Sequence, residues 1–183
     1  MDQIPSNLES PNVLLRAIMP SDAEYIVKWA ADSEIRRLTA ETEPLTLEKA
    51  RDFIDMVRAD ESRLWFMIID KKTQKPIGEC GLLRIFRPWN TADLSMIIAE
   101  KSQWGKGAAG EAMRILLDIA FNSLRLHRLS IGVLDYNVRA LRFYRRFGFR
   151  EEGRQLDGYF SDGAHHDFIM MSLLEGQYRQ ANP

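Results

Sequence analysis

The sequence has a single cysteine, Cys80, among 183 residues, so an internal disulfide is excluded. No apolar run approaches the roughly 20 residues that a membrane-spanning helix requires. The first residues, "MDQIPSNLESPNV", have neither the basic start nor the apolar stretch of a signal peptide. Charge of one sign is lacking as well. Lys and Arg number 25 against 26 Asp and Glu, a formal net charge of −1, and nothing in that balance points to a nucleic-acid surface. Repeats and low-complexity segments are also missing. These absences leave a soluble, cytoplasmic protein with no nucleic-acid or membrane partner as the expectation. With 45% hydrophobic residues, the chain is long enough for one packed domain over 1–183, with 1–11 as a flexible tail.

Within the chain, hydrophobic periodicity sorts the elements. "NVLLRAI" (12–18) reads as a strand. "PSDAEYIVKWAADSEIRRL" follows as one helix capped by Ser21, with Ala23, Ile26, Val27 and Ala30 on one face. "TLEKARDFIDMVRAD" repeats the pattern behind Thr46, with Ala50, Phe53, Ile54 and Val57 as its stripe. The period then changes. "RLWFMIID" (63–70), "PIGECGLLRI" (76–85) and "TADLSMIIA" (91–99) are short strands joined by turn-like segments, which predicts an antiparallel meander. A helix over 107–122, a strand over 129–135, a helix over 138–147 and strands near 149–158 and 165–174 complete the order βααβββαβαββ. The fold class is α+β, a mixed sheet of about seven strands flanked by about four helices.

The stretch "WGKGAAGEA" (104–112) contains Gly105-x-Gly107-x-x-Gly110 at the head of a helix. A dinucleotide fingerprint has this spacing, but it must follow a strand directly and sit in repeated βαβ units. Here "EKSQW" intervenes and the first half of the chain is a meander, although Asp135 stands roughly where a ribose-binding acid is expected. A P-loop would need a hydroxyl after Gly105-Lys106, and glycine stands there. A plain glycine turn before a helix remains open. So does a pyrophosphate cradle built from main-chain N–H groups behind the strand "LSMII".

Some thirty residues on comes "NVRALRFYRRFGF" (137–149). Together the two stretches resemble the GNAT superfamily of acetyl-CoA-dependent N-acetyltransferases. The cofactor motif there runs Gln/Arg-x-x-Gly-x-Gly/Ala, and the later motif runs Asn-x-x-Ala-x-x-Phe/Tyr-Tyr-x-x-x-Gly-Phe. The later motif is matched at Asn137, Ala140, Phe143, Tyr144, Gly148 and Phe149, the earlier one at Gly107 and Ala109, with Trp104 where Gln or Arg is usual. The likeness spans almost the whole chain and looks most like the branch of polyamine and ribosomal-protein N-terminal acetyltransferases.

The resemblance implies acetyl-CoA held between two splayed parallel strands. Its contacts would come from Met96, Ile97 and Ile98 on the strand, from Trp104, Gly105, Lys106, Gly107, Ala108, Ala109 and Gly110 at the turn, and from Asn137, Ala140, Phe143, Tyr144 and Arg146 on the later helix. Tyr144 would protonate the leaving thiolate. Read without the motif, Tyr144 is an aromatic on a helix stripe, usually core, and Asn137 is a helix cap. The acceptor would be a small-molecule or peptide amine, such as a polyamine, an amino sugar or a protein N-terminus. A non-catalytic CoA-binding module is the rival from another class, and a homodimer is compatible with the sequence.

An amine with a pKa near 10 is only about 0.1% neutral at pH 7, so acids near the acceptor are expected. The candidates are Glu41, Glu43, Glu79 and Asp93, each equally readable as a surface charge, with His165 as a further substrate contact. His165, His166 and Asp167 adjoin one another, but neighbouring residues of a strand point to opposite faces, so no metal is expected. Cys80 reads as buried filler.

Overall fold

The computed structural model describes residues 8–181. Seven strands form one mixed sheet: β1 (Val13–Ala17), β2 (Leu64–Asp70), β3 (Lys75–Phe86), β4 (Thr91–Ile98), β5 (Arg128–Leu134), β6 (Arg150–Ser161) and β7 (Ala164–Leu174), in the order β1-β2-β3-β4-β5-β7-β6. The expected meander is present, because β2, β3 and β4 pair antiparallel through short turns. The six helices are α1 (Ala23–Ala30), α2 (Ser33–Thr39), α3 (Leu47–Ala59), α4 (Ala108–Asp118), α5 (Val138–Arg146) and α6 (Glu175–Ala181).

The helix expected across 21–38 is two helices. Asp32 takes an extended conformation (ψ 115°), and its carboxylate accepts the amides of Glu34 (2.9 Å) and Ile35 (3.3 Å), so a second helix starts there. Ser21 is not the first cap. It lies in a 3₁₀ turn (Pro20–Asp22), where the Asp22 carboxylate accepts the Met19 amide at 2.8 Å. Thr46 does cap α3, accepting the Lys49 amide at 3.2 Å. The long helix expected to reach Asn122 stays α-helical only to Asp118 and widens into a π turn over Ile119–Ser123. The sequence reading has no counterpart for α6. That helix carries an Arg179–Glu175 pair (2.8 Å) one turn apart and stacks Tyr178 on Phe121, with centroids 4.8 Å apart.

The expected tail is ordered over 8–11, and residues 1–7 lie outside the described residues. Glu9 bridges to Leu14, and the Leu15 amide donates to the Leu8 carbonyl at 2.8 Å. Glu111 of α4 accepts from the Ser10 hydroxyl (2.5 Å) and the Asn12 amide (2.9 Å), tying this segment to the glycine-led helix.

The apolar residues of β2–β4 alternate between two cores. Phe66, Ile68, Cys80, Leu82, Leu94, Met113, Leu116, Leu141 and Tyr144 pack on the α4–α5 face. Ile26, Trp29, Ile54, Val57, Met67 and Ile69 pack on the α1–α3 face. Parallel neighbours need a crossover, and α4 supplies it between β4 and β5. Those strands pair only at Thr91–Arg128, Ala92–Leu129 and Asp93–Ser130. Past that point β4 keeps only β3 and β5 only β7, so the sheet opens into a V.

Candidate active site

A cleft of about 1120 Å³ occupies the opening of the V. Of the residues expected around the cofactor, Met96, Ile97, Ile98, Trp104, Gly105, Gly107, Ala108, Ala109, Gly110, Asn137, Ala140, Phe143, Tyr144 and Arg146 all line it. Lys106 does not. The cleft passes through the sheet rather than lying on one face. Met96 and Ile98 pack against the α4–α5 core, whereas Ile97 between them packs against the α1–α3 core. Ile35, Leu38 and Thr39 of α2 also line it. They were missed because α2 was not recognised as a helix of its own.

The glycine turn forms one wall. Gly107 caps α4 at φ +92°, a region L side chains rarely adopt, and a Cβ added at Gly105 or Gly107 would meet no protein atom within 4 Å. The Gly107 carbonyl accepts the amides of Gly110 (2.9 Å) and Glu111 (3.1 Å). The amides of Gly107, Ala108 and Ala109 have no partner among the described residues. Open space, free N–H donors and the positive end of an 11-residue helix suit a diphosphate.

The opposite wall is the start of α5. The Asn137 side chain accepts the Ala140 amide at 3.1 Å and donates to the Leu38 carbonyl at 3.3 Å, so it caps α5 and holds α2 against it. The neighbouring Tyr136 hydroxyl donates to the Arg37 carbonyl at 2.6 Å. One α5 stripe carries Tyr144 into the cleft. The residue is 4% exposed and wedged edge-on between Phe143 (5.4 Å) and Phe149 (5.5 Å). Its hydroxyl donates to no group among the described residues, and burial pushes its pKa above the usual phenol range. Burial also raises the thiol of Cys80, on the same face of β3.

None of the five acceptor candidates lines the cleft. Asp93 lies where β4 and β5 still pair and forms an ion pair with Arg84. His165 is exposed and packs against Phe160 at 4.9 Å. Glu43 is exposed in the loop after α2. Among the described residues, no three His, Cys, Asp or Glu side chains are grouped to hold a metal. Glu79 differs. It pairs across β3–β4 with the cleft residue Ile97, and its Oε2 accepts from Trp65 Nε1 at 3.1 Å. A Cβ on Gly81 would lie 2.6 Å from the Trp65 ring, so glycine there is what lets the indole cross β3. Burial pushes the Glu79 carboxyl up to about 7; the Trp65 bond works against the rise, and the charges of Glu41 and Asp22 add to it. Asp22 is itself committed to Arg16 at 2.7 Å.

Comparison with known proteins agrees with this architecture. An uncharacterized N-acetyltransferase p20 of Bacillus licheniformis is 29% identical over 93% of this chain and 97% of that protein. Spermidine N(1)-acetyltransferase of Escherichia coli K12 is 26% identical over 91% of this chain and 88% of its own. The crystal structure of spermidine N-acetyltransferase from Vibrio cholerae, in complex with CoA and spermine, superimposes with a TM-score of 0.86 at 25% identity, covering 93% of this chain and 99% of that one. The model of the acetyltransferase (GNAT) domain matches residues 12–150, the stretch from β1 to α5 that shapes both walls of the cleft, and the chain therefore belongs to the GNAT family of acetyltransferases.

Proposed function

We propose that this enzyme transfers the acetyl group of acetyl-CoA to a primary amine of a polyamine by direct attack. One observation carries the reading. Successive residues of β4 line the cleft from both faces of the sheet, with the phenol of Tyr144 in it on the α4–α5 side and the buried carboxyl of Glu79, cross-strand from the cleft residue Ile97, behind it on the other. The likeness to spermidine acetyltransferases along nearly the whole chain supports the polyamine as acceptor.

In this reading the glycine turn binds the diphosphate and the thioester lies beside Met96–Ile98. Past Asp93 the β4 backbone has no β5 partner, which leaves main-chain donors to stabilise the oxyanion as it develops. The acceptor arrives as an ammonium from the α1–α3 side, drawn by Glu79 and Glu41. Glu79 takes one proton, directly or through a water, because a carboxyl held near 7 is matched to that task at neutral pH. The amine nitrogen attacks the thioester carbon and gives its second proton to water, the C–S bond breaks, and the electron pair leaves on sulfur. Tyr144 then gives its proton to the thiolate. A phenol raised by burial is a weaker acid, but burial raises a neighbouring thiol in the same way, as Cys80 shows. A cytoplasmic location goes with this reading, since Cys80 is unpaired and acetyl-CoA is consumed.

A CoA-release assay over spermidine, an amino sugar and N-terminal peptides tests it. Spermidine should turn over best, and its rate should weaken with salt as Glu79 and Glu41 are screened. Equal, salt-independent rates on spermidine and a neutral amino sugar would remove the polyamine. Preference for a peptide would reassign the acceptor to a protein N-terminus, and binding without turnover on any amine would leave a CoA-binding module.

A further inference from the structure

Trp104 stands directly before the glycine turn and connects three parts of the cleft. Its Nε1 donates to the Ile98 carbonyl at 2.7 Å, at the free end of β4. Its ring lies under the guanidinium of Arg139, 3.7 Å from the Arg139 Cζ. Arg139 belongs to the first turn of α5, is exposed, and lines the cleft. It forms no ion pair with any described residue, so its charge is not spent within the protein. Three further cations line the cleft. Arg114 of α4 lies over the Phe147 ring at 5.8 Å, on the Gly110 side of the turn. Arg145 is paired with Glu151 at 3.2 Å, and Arg146 lies seven residues further along α5, about 10 Å away at 1.5 Å per residue.

We propose that Arg139, held over the Trp104 ring, is a binding residue for the diphosphate of acetyl-CoA. The inference rests on the acetyl-CoA reading of the cleft. Position 104 itself offers no charged side chain in this chain. Its indole instead holds a planar, permanently charged fork in the cleft that the free amides of Gly107, Ala108 and Ala109 also line. Stacking restricts the guanidinium before any ligand arrives, so less rotamer freedom is lost when it bonds to phosphate oxygens. Two parallel N–H groups to one diphosphate then add a charge-assisted contact to the neutral main-chain ones. Trp104 is thus a positioning residue and Arg139 the one that touches the ligand.

Equilibrium binding to the full chain tests this, with CoA and dephospho-CoA as probes and thermal unfolding of each ligand-free variant as a control. Arg139→Met should raise Kd about tenfold for both ligands, leave the ligand-free melting temperature unchanged, and flatten the salt dependence of binding. Arg139→Lys, which keeps the charge and loses the fork, should fall between. Trp104→Leu should weaken binding several-fold, and adding Arg139→Met to it should weaken binding little further. Unchanged affinity of Arg139→Met for both ligands would overturn the proposal. So would a loss confined to CoA, which would place the contact on the ribose 3′-phosphate. Wild-type protein that bound neither ligand would instead overturn the acetyl-CoA reading itself.

Discussion

Replacing Glu79 by Gln should make the protein more stable in alkali and a poorer enzyme. Burial lifts this carboxyl from its ordinary 4.5 to about 7, so between these values the folded chain holds a proton that the unfolded chain releases. For an acid raised in this way, folding stability is complete below about pH 4.5 and is lost as pH rises through about 7. At 1.36 kcal/mol per pH unit the full loss is about 3 kcal/mol above pH 8, and under about 1 kcal/mol at pH 5. Glutamine keeps an oxygen for the Trp65 N–H bond and has no proton to lose. Urea unfolding at pH 5 and pH 8.5 should therefore show Glu79→Gln near wild type at the lower pH and 2–3 kcal/mol more stable at the higher, by that order of magnitude. In the same protein kcat/KM should fall by about 10²- to 10⁴-fold. The rise of wild-type activity with pH near 7 should vanish from its profile. A variant equally destabilised at both pH values would refute the buried, titrating carboxyl. Full activity with the alkaline gain in stability would refute Glu79 as proton acceptor while leaving its burial intact.

Two other changes probe the opposite side of the cleft. Tyr144→Phe keeps the ring wedged between Phe143 and Phe149 and loses only a hydroxyl with no described partner. Its stability should change by less than about 1 kcal/mol and its CoA affinity little, while kcat drops by about 10²- to 10⁴-fold; near-normal turnover with chemistry rate-limiting, measured by pre-steady-state CoA release, would return Tyr144 to the core. Gly107→Val sets a branched side chain at φ +92° in the open cradle. The apparent constant for acetyl-CoA should rise at least tenfold, with strain of about 1–2 kcal/mol in unfolding experiments, and unchanged cofactor binding would make the turn merely a turn.

The parts of the site that were legible in the sequence share one property: each is a local pattern. Gly105–Gly110 announces a tight turn ahead of a helix, and Asn137 through Phe149 lies on one helix and the turn after it, so spacing alone brings those residues together. What spacing does not show is juxtaposition across strands. Glu79 is distinguished from other surface acids only by the register that sets it beside Ile97 and by a tryptophan reaching over Gly81 from the next strand. Arg139 and Trp104 are 35 residues apart and meet because α4 crosses over between β4 and β5. The missed helices had weaker excuses. Asp32 is a capping residue followed by helix formers, and Glu175 with Arg179 has helical spacing. An apolar stripe running past the first cap, and a strand running up to Leu174, masked both signals.

The passage of the cleft from one face of the sheet to the other also governs traffic. In the proposed reading a nucleotide enters beside α4 and α5 and a cation beside α2 and the loop after it, through separate doors, so that neither would block the other's exit. Both can be resident at once, and the acetyl group need never be parked on the protein. Initial-rate plots against the two substrates should then intersect rather than run parallel. The acceptor-side door is framed by α2, which is held to the cofactor wall through the Leu38 and Arg37 carbonyls and through the Arg37 guanidinium, 4.6 Å over the Tyr136 ring.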